Sequence, residues 1–189
     1  MRIMCVIAAV LLTACSSQPP QTTTYLLRSE VGATSGTQLA DSGIALGNVR
    51  VASYIDQPGL VLATGDGTIH AARNYVWAEP LQVSLRRHLA TEVSAASGRD
   101  IATSVSPGTK SRIDVTVDQM HGNGSGAAVL VAYWDIGSGT QTRSYRFSEQ
   151  QSLADSGYDA LVRAEETLLK RLAQAIAASL PAPAGGVSG

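Results

Sequence analysis

The sequence predicts an α+β domain, a two-layer sandwich in which two amphipathic helices cover one face of a mostly antiparallel sheet, in the order strands, helix, strands, helix. Three observations carry this. Two segments place apolar residues at helical spacing, several others are β-prone or alternate apolar with polar residues, and Gly-rich turns separate neighbouring β-like runs at hairpin distances.

Ile44 to Ala52 and Leu60 to Ala63 are short β-prone runs, and the turn Thr64-Gly65-Asp66-Gly67 folds the second back onto Thr68 to Ala72. Trp77, Leu81, Leu85, Leu89 and Val93 then recur every four residues, which predicts a helix from about Val76 to Ala96, with Pro80 in its first turn and Gly98 as its stop. Ile113, Val115 and Val117 alternate with Asp114, Thr116 and Asp118, so that strand has one buried and one wet face. His121-Gly122-Asn123-Gly124-Ser125-Gly126 reads as a hairpin turn. Ala127 to Ile136 is apolar on both faces and is read as a central strand, and Thr142 to Gln150 follows the turn Gly137-Ser138-Gly139. In the last segment Tyr158, Leu161, Val162, Leu168, Leu169, Leu172 and Ile176 form a broad apolar stripe opposite Arg163, Glu166, Lys170 and Gln174, and Ser156-x-x-Asp159 resembles a capping box.

Composition narrows the function. Charged residues make up 15% of the 189, against an ordinary share of roughly a quarter. With 44% hydrophobic residues the chain is not disordered, and 14 Lys plus Arg against 15 Asp plus Glu leave no electrostatic reserve for phosphates, which excludes a nucleic-acid binder of the basic-patch kind. Part of the hydrophobic excess lies at the N-terminus. Met1-Arg2, the apolar run Ile3 to Leu12 and the sequence Leu12-Thr13-Ala14-Cys15 have the order of a secretory signal. As a helix the run spans about 18 Å at most, too short for a hydrocarbon core of about 30 Å.

Leu12-Thr13-Ala14-Cys15 also resembles a bacterial lipobox, in which small residues admit the extended chain to the peptidase and the cysteine thiol takes the diacylglycerol. Four regions are expected: a signal peptide over 1–14, a flexible tether over 15–24 led by a lipidated Cys15, one domain over 25–180, and a floppy Pro/Ala/Gly tail over 181–189. Cleavage leaves Cys15 as the sole cysteine, so no intramolecular disulfide forms. Diacylglycerol and N-acyl chains on Cys15 would hold the domain to a membrane effectively permanently. Ser16, standing where an aspartate favours inner-membrane retention, points to the periplasmic face of the outer membrane.

No catalytic constellation, metal site or cofactor site is expected. His70, His88 and His121 have no second ligand at metal spacing and read as unrelated surface or half-buried histidines. Gly124-Ser125-Gly126 joins strand to strand and is no nucleophile elbow, and the glycine run lacks the Lys of a phosphate loop. Asp114, Asp118 and Asp135 read as solvated edge charges. Arg86, Arg87, Arg143 and Arg146 are the basic concentrations, read as a solvated face balanced by Glu79 and Glu92.

Several segments, in order, resemble the ABC-type transport auxiliary lipoproteins of the paraquat-inducible C type: the lipobox followed by Tyr25-Leu26-Leu27, the run Val49 to Pro58, the run Asn74-Tyr75-Val76-Trp77-Ala78-Glu79-Pro80-Leu81, the strand ending Leu130 to Trp134, and the closing helix from Tyr158 to Ala177. Ser53 departs from a common proline and Gln57 from a frequent arginine. The resemblance implies a non-enzymatic lipoprotein of the outer membrane that assists intermembrane lipid transport. Its implied partners are a mammalian-cell-entry (MCE) domain protein and the components of an ABC transporter at the inner membrane, and the type member implies homo-oligomeric rings. Tyr54, Asp56 and Pro58 are the partner-binding candidates it marks, whereas Trp77 and Trp134 read as core. Two other readings stay open on the residues alone: an assembly or pilot lipoprotein for an outer-membrane β-barrel or secretin, and a periplasmic lipid-binding carrier.

Overall fold

The computed structural model describes residues 21–27, 29 and 41–182. Cys15, the signal segment, most of the tether and residues 183–189 lie outside them. The described elements are β1 (Thr23–Tyr25), β2 (Asp41–Val51), β3 (Gly59–Thr64), β4 (Thr68–Trp77), α1 (Leu81–Ser97), β5 (Asp100–Ala102), β6 (Ser111–Asn123), β7 (Ala127–Ser138), β8 (Gln141–Ser152) and α2 (Tyr158–Ser179). The α+β class and the order strands, helix, strands, helix stand.

The eight strands form one mixed sheet, where a mostly antiparallel one was expected. β3 with β4, β6 with β7 and β7 with β8 are antiparallel hairpins. β1 with β4, β2 with β5, β2 with β6 and β3 with β6 are parallel. The reason is connectivity: the β3–β4 hairpin and α1 lie between β2 and β6 in sequence, long enough for the crossover a parallel pair needs. β6 is the hub, flanked by β7 along its length on one side and by β2 and then β3 on the other. α1 packs over β2 and β5, α2 over β6, β7 and β8, and the two helices pack side by side.

The core follows the expected stripes. Leu85, Leu89 and Val93 of α1, Ile113, Val115 and Val117 of β6, and Leu161, Leu168, Leu172 and Ile176 of α2 are buried together. Ala127 to Ala132 are buried on both faces of β7, as their apolar run predicts. Trp134 is core: its ring stacks on Tyr145 at 5.3 Å and its Nε1 donates to Ser179 Oγ over 3.0 Å.

Three local expectations are corrected. Trp77 closes β4 and α1 begins only at Leu81. A residue before proline is disfavoured from the α region, and Trp77 N and Ala78 N already donate to Pro58 O (2.8 Å) and Tyr25 O (2.7 Å), which holds this stretch extended. The capping box does not form, because the residue before α2 is Gly157 at φ 98°, without a side-chain cap, and Ser156 N donates to Asp155 Oδ1 instead. The tether boundary moves too: Thr23 and Thr24 pair with Tyr75 and Val76 as part of β1, so the sheet begins before residue 25.

At the His121 to Gly126 segment, β6 runs on through Asn123, and the reversal is made by Gly124, Ser125 and Gly126, the last at φ 76°. Asn123 Oδ1 holds it by accepting from Ser125 N, Ser125 Oγ and Ala127 N at 3.1, 2.8 and 2.9 Å. No helix among the described residues is long and apolar enough to cross a membrane.

Candidate functional site

Beyond β2 the chain makes a tight turn: Ala52 N donates to Val117 O, and Ile55 N and Asp56 N both donate to Ala52 O. Ile55, buried among core residues, pins the turn, which leaves Asp56 and Pro58 exposed beside the end of β4. Gly59, the first residue of β3, lies so close to β4 that a Cβ on it would stand 2.3 Å from Ala72 O. Only glycine allows that approach, and it brings Pro58 O within reach of Trp77 N.

The result is a hollow of about 310 Å³ lined by Asp56, Gln57, Pro58, Trp77, Glu79 and Leu81, among others. Asp56 Oδ2 accepts from Gln82 Nε2 over 3.1 Å, which ties the turn to the first turn of α1. Glu79 accepts from Ser84 Oγ at 3.2 Å and pairs with Arg87. A second hollow of about 450 Å³ shares Glu79 with the first and is lined further by Leu26, Leu27, Arg87 and Thr91. The segments Tyr25–Leu27, Tyr54–Pro58 and Asn74–Leu81, far apart in sequence, thus meet at one place.

Of the three expected binding residues, Asp56 and Pro58 come together in the first hollow and Tyr54 does not line it. Tyr54 is half-buried, its ring 6.3 Å from that of His121 and tilted by 56°. Its carbonyl accepts from Gln57 Nε2 over 2.5 Å. Burial, followed by the nearby Asp118 carboxylate, pushes its phenol above the ordinary value, against a hydrogen bond with the Met120 backbone. Trp77 is core and also a wall of the hollow. Glu79, Leu81, Gln82 and Arg87 were not singled out as site residues, although the Asn74 to Leu81 run pointed at the place.

His70 is exposed, whereas His88 and His121 are buried, more deeply than expected. No group of three His, Cys, Asp or Glu able to hold a metal ion exists among the described residues. Arg86 donates to Gly47 O and Thr103 O, so it ties α1 to the sheet and is not part of a solvated face. Burial raises the Asp114 carboxyl, but the Arg112 guanidinium and Asn48 N–H more than offset it and hold that group below the ordinary carboxylate range. The arrangement can dock a partner that combines an apolar prominence with groups that match Asp56, Glu79 and Arg87.

The family model described as "ABC-type transport auxiliary lipoprotein component" matches residues 25–177. The intermembrane transport lipoproteins PqiC of Escherichia coli K12 and of Shigella flexneri are each 26% identical over 159 residues, covering 83% of this chain and 85% of theirs. A crystal structure of an uncharacterised protein superposes with a TM-score of 0.73 at 24% identity, over 85% of this chain and 99% of that one. One from Xanthomonas campestris gives 0.62 at 14% identity, over 82% and 92%. At these identities the two structures speak to the fold alone.

Proposed function

The chain belongs to the ABC-type transport auxiliary lipoprotein family, a family of transport components and not of enzymes, and on that premise we propose that it docks a periplasm-spanning MCE-domain protein of an intermembrane lipid transport system at the outer membrane. Cys15, processed at the lipobox and acylated, is the anchor on the periplasmic face, and the domain needs no cofactor beyond that lipid. A domain fixed by a short tether cannot roam. Its useful work is to hold something that reaches it, and anchoring raises the effective concentration of the two partners.

The observation that carries this reading is the convergence of Tyr25–Leu27, Tyr54–Pro58 and Asn74–Leu81 on the adjoining hollows that share Glu79. These are the segments that bear much of the likeness to the family, and they are joined by hydrogen bonds from Trp77 to Pro58 and from Ala78 to Tyr25. A packing role alone would not leave Asp56 and Pro58 exposed at the rim. Docking surfaces draw most of their energy from a few desolvated aromatic, apolar and arginine contacts, and Trp77, Leu81 and Arg87 supply those types here.

The test is co-purification. The lipoprotein isolated from envelopes should bring down an MCE-domain protein, and Asp56→Lys should reduce recovery several-fold with the domain still folded. Undiminished recovery with that variant, or recovery of a β-barrel or secretin in place of the MCE protein, would contradict the proposal.

A further inference from the structure

β8 is a long edge of the sheet. It pairs with β7 alone, over 12 residues that contain no proline, no glycine and no register shift. The strands that end the sheet elsewhere, β1 and β5, have three residues each. In an antiparallel ladder, residues bonded to the partner alternate with residues whose N–H and C=O point away from it. The two-residue turn Gly139–Thr140 makes Ser138 and Gln141 a bonded pair, so the odd residues of β8 bond to β7. Thr142, Ser144, Arg146, Ser148 and Gln150, all exposed, therefore direct their backbone donors and acceptors outward.

Edges of this length are ordinarily blunted by proline, a bulge or charges held over the rim. Here Arg146 bends the other way: its guanidinium lies 5.9 Å from the centroid of the Tyr133 ring, back over β7. The hydroxyl side chains of Thr142, Ser144 and Ser148 are small and leave room for a second backbone. Charge selects the occupant. Glu149, the one acid of the strand, is paired with Arg171, whereas Arg143 and Arg146 are exposed and neither has an ion-pair partner among the described residues. Three residues apart on a strand, they lie on opposite faces, so uncompensated positive charge stands on both sides of the edge. A second copy of β8 would bring the same two arginines to the seam, which like-charge repulsion opposes.

We propose that β8 accepts an extended acidic segment of a partner protein as an added strand. Backbone pairing along Thr142 to Gln150 supplies the attraction. Two carboxylates three positions apart in the partner, one opposite Arg143 and one opposite Arg146, set the register, at cross-strand Cβ separations of about 5 Å. This surface shares no residue with the two hollows and stands independently of them.

The test is amide hydrogen exchange, residue by residue, on the full chain in zwitterionic detergent. The probe is a capped peptide of about ten alternating threonine and valine residues, good strand formers, with two glutamates three positions apart; its control has lysines in their place. The acidic peptide should slow exchange several-fold at Ser144, Arg146 and Ser148, leave the already bonded Tyr145 and Phe147 unchanged, and bind several-fold more tightly than the control. Arg143→Glu with Arg146→Glu should reverse that preference. Ser148→Pro removes an outward donor without removing a bond to β7 and should abolish the slowing while the melting temperature stays near native. Equal effects of the two peptides, slowing at β1 or β5 instead, or no slowing with either peptide overturns the proposal. Protection at the same amides without peptide, growing with protein concentration, overturns it in favour of a second copy.

Discussion

The Tyr25 hydroxyl donates a hydrogen bond of 2.6 Å to Asp159 Oδ1, joining the first strand to the first turn of the last helix across 134 residues of sequence. Burial, then this bond and the Asp159 charge, raise the Tyr25 phenol well above its ordinary range, so it remains a donor at every physiological pH. The bond closes the sheet edge where the tether enters.

Tyr25→Phe keeps the ring and removes the donor. The Asp159 carboxylate lies at the surface and can turn to water, so the cost is about 1 kcal/mol. For a domain of this size that lowers the midpoint of thermal unfolding by about 2–4 °C. Calorimetry on the two proteins reads it directly, and an unchanged midpoint would show that the bond contributes nothing.

Gly59→Ala should be far more damaging. The atom it would meet is Ala72 O of the paired backbone, at 2.3 Å, and no side-chain rotation relieves that contact. Separation of β3 from β4 at this point also pulls Pro58 O from Trp77 N. The expected outcome is a loss of about 2–4 kcal/mol in denaturant unfolding together with weaker partner recovery. A variant of native stability would contradict the close approach.

Glu165 is fully buried on α2, and its Oε2 has no hydrogen-bond partner. Burial, with the neighbouring Glu166 adding to it, raises its carboxyl from an ordinary value of 4.5 to about 8. The folded state therefore keeps a proton that the unfolded chain has released between those values, and stability is lost as pH rises through that window. The slope is at most about 1.4 kcal/mol per pH unit. Glu165→Gln, which cannot ionise, should flatten the urea midpoint across that window, and an unflattened profile would remove Glu165 as its cause.

What could be read from the sequence is what its local periodicity records. The stripe of α2, the alternation of β6 and the β3–β4 hairpin are patterns within a few residues, and they reappear nearly as spaced. β1 and β5 have three residues each and carry no period, so neither was expected. The parallel pairings of β2 and β3 with β6 join segments distant in sequence and leave no local signature. Trp77 shows how a period misleads: it stands four residues before Leu81 and fits the helical series, but Pro80 and the bond to Pro58 O place it at the end of a strand. Asp56 and Pro58 were legible through family likeness. Arg87 was not, because its place beside the hollows comes from its pairing with Glu79, which exists only after folding.

The central claim is that the hollow beside Trp77 meets the MCE-domain partner, and in-cell photo-crosslinking tests it most directly. A photoreactive amino acid at Pro58, exposed at the hollow, should crosslink to an MCE-domain protein in intact envelopes, while the same group at Val105, exposed elsewhere on the domain, should not. Crosslinking of the MCE protein from position 105 and not from 58, or from neither, would contradict the account.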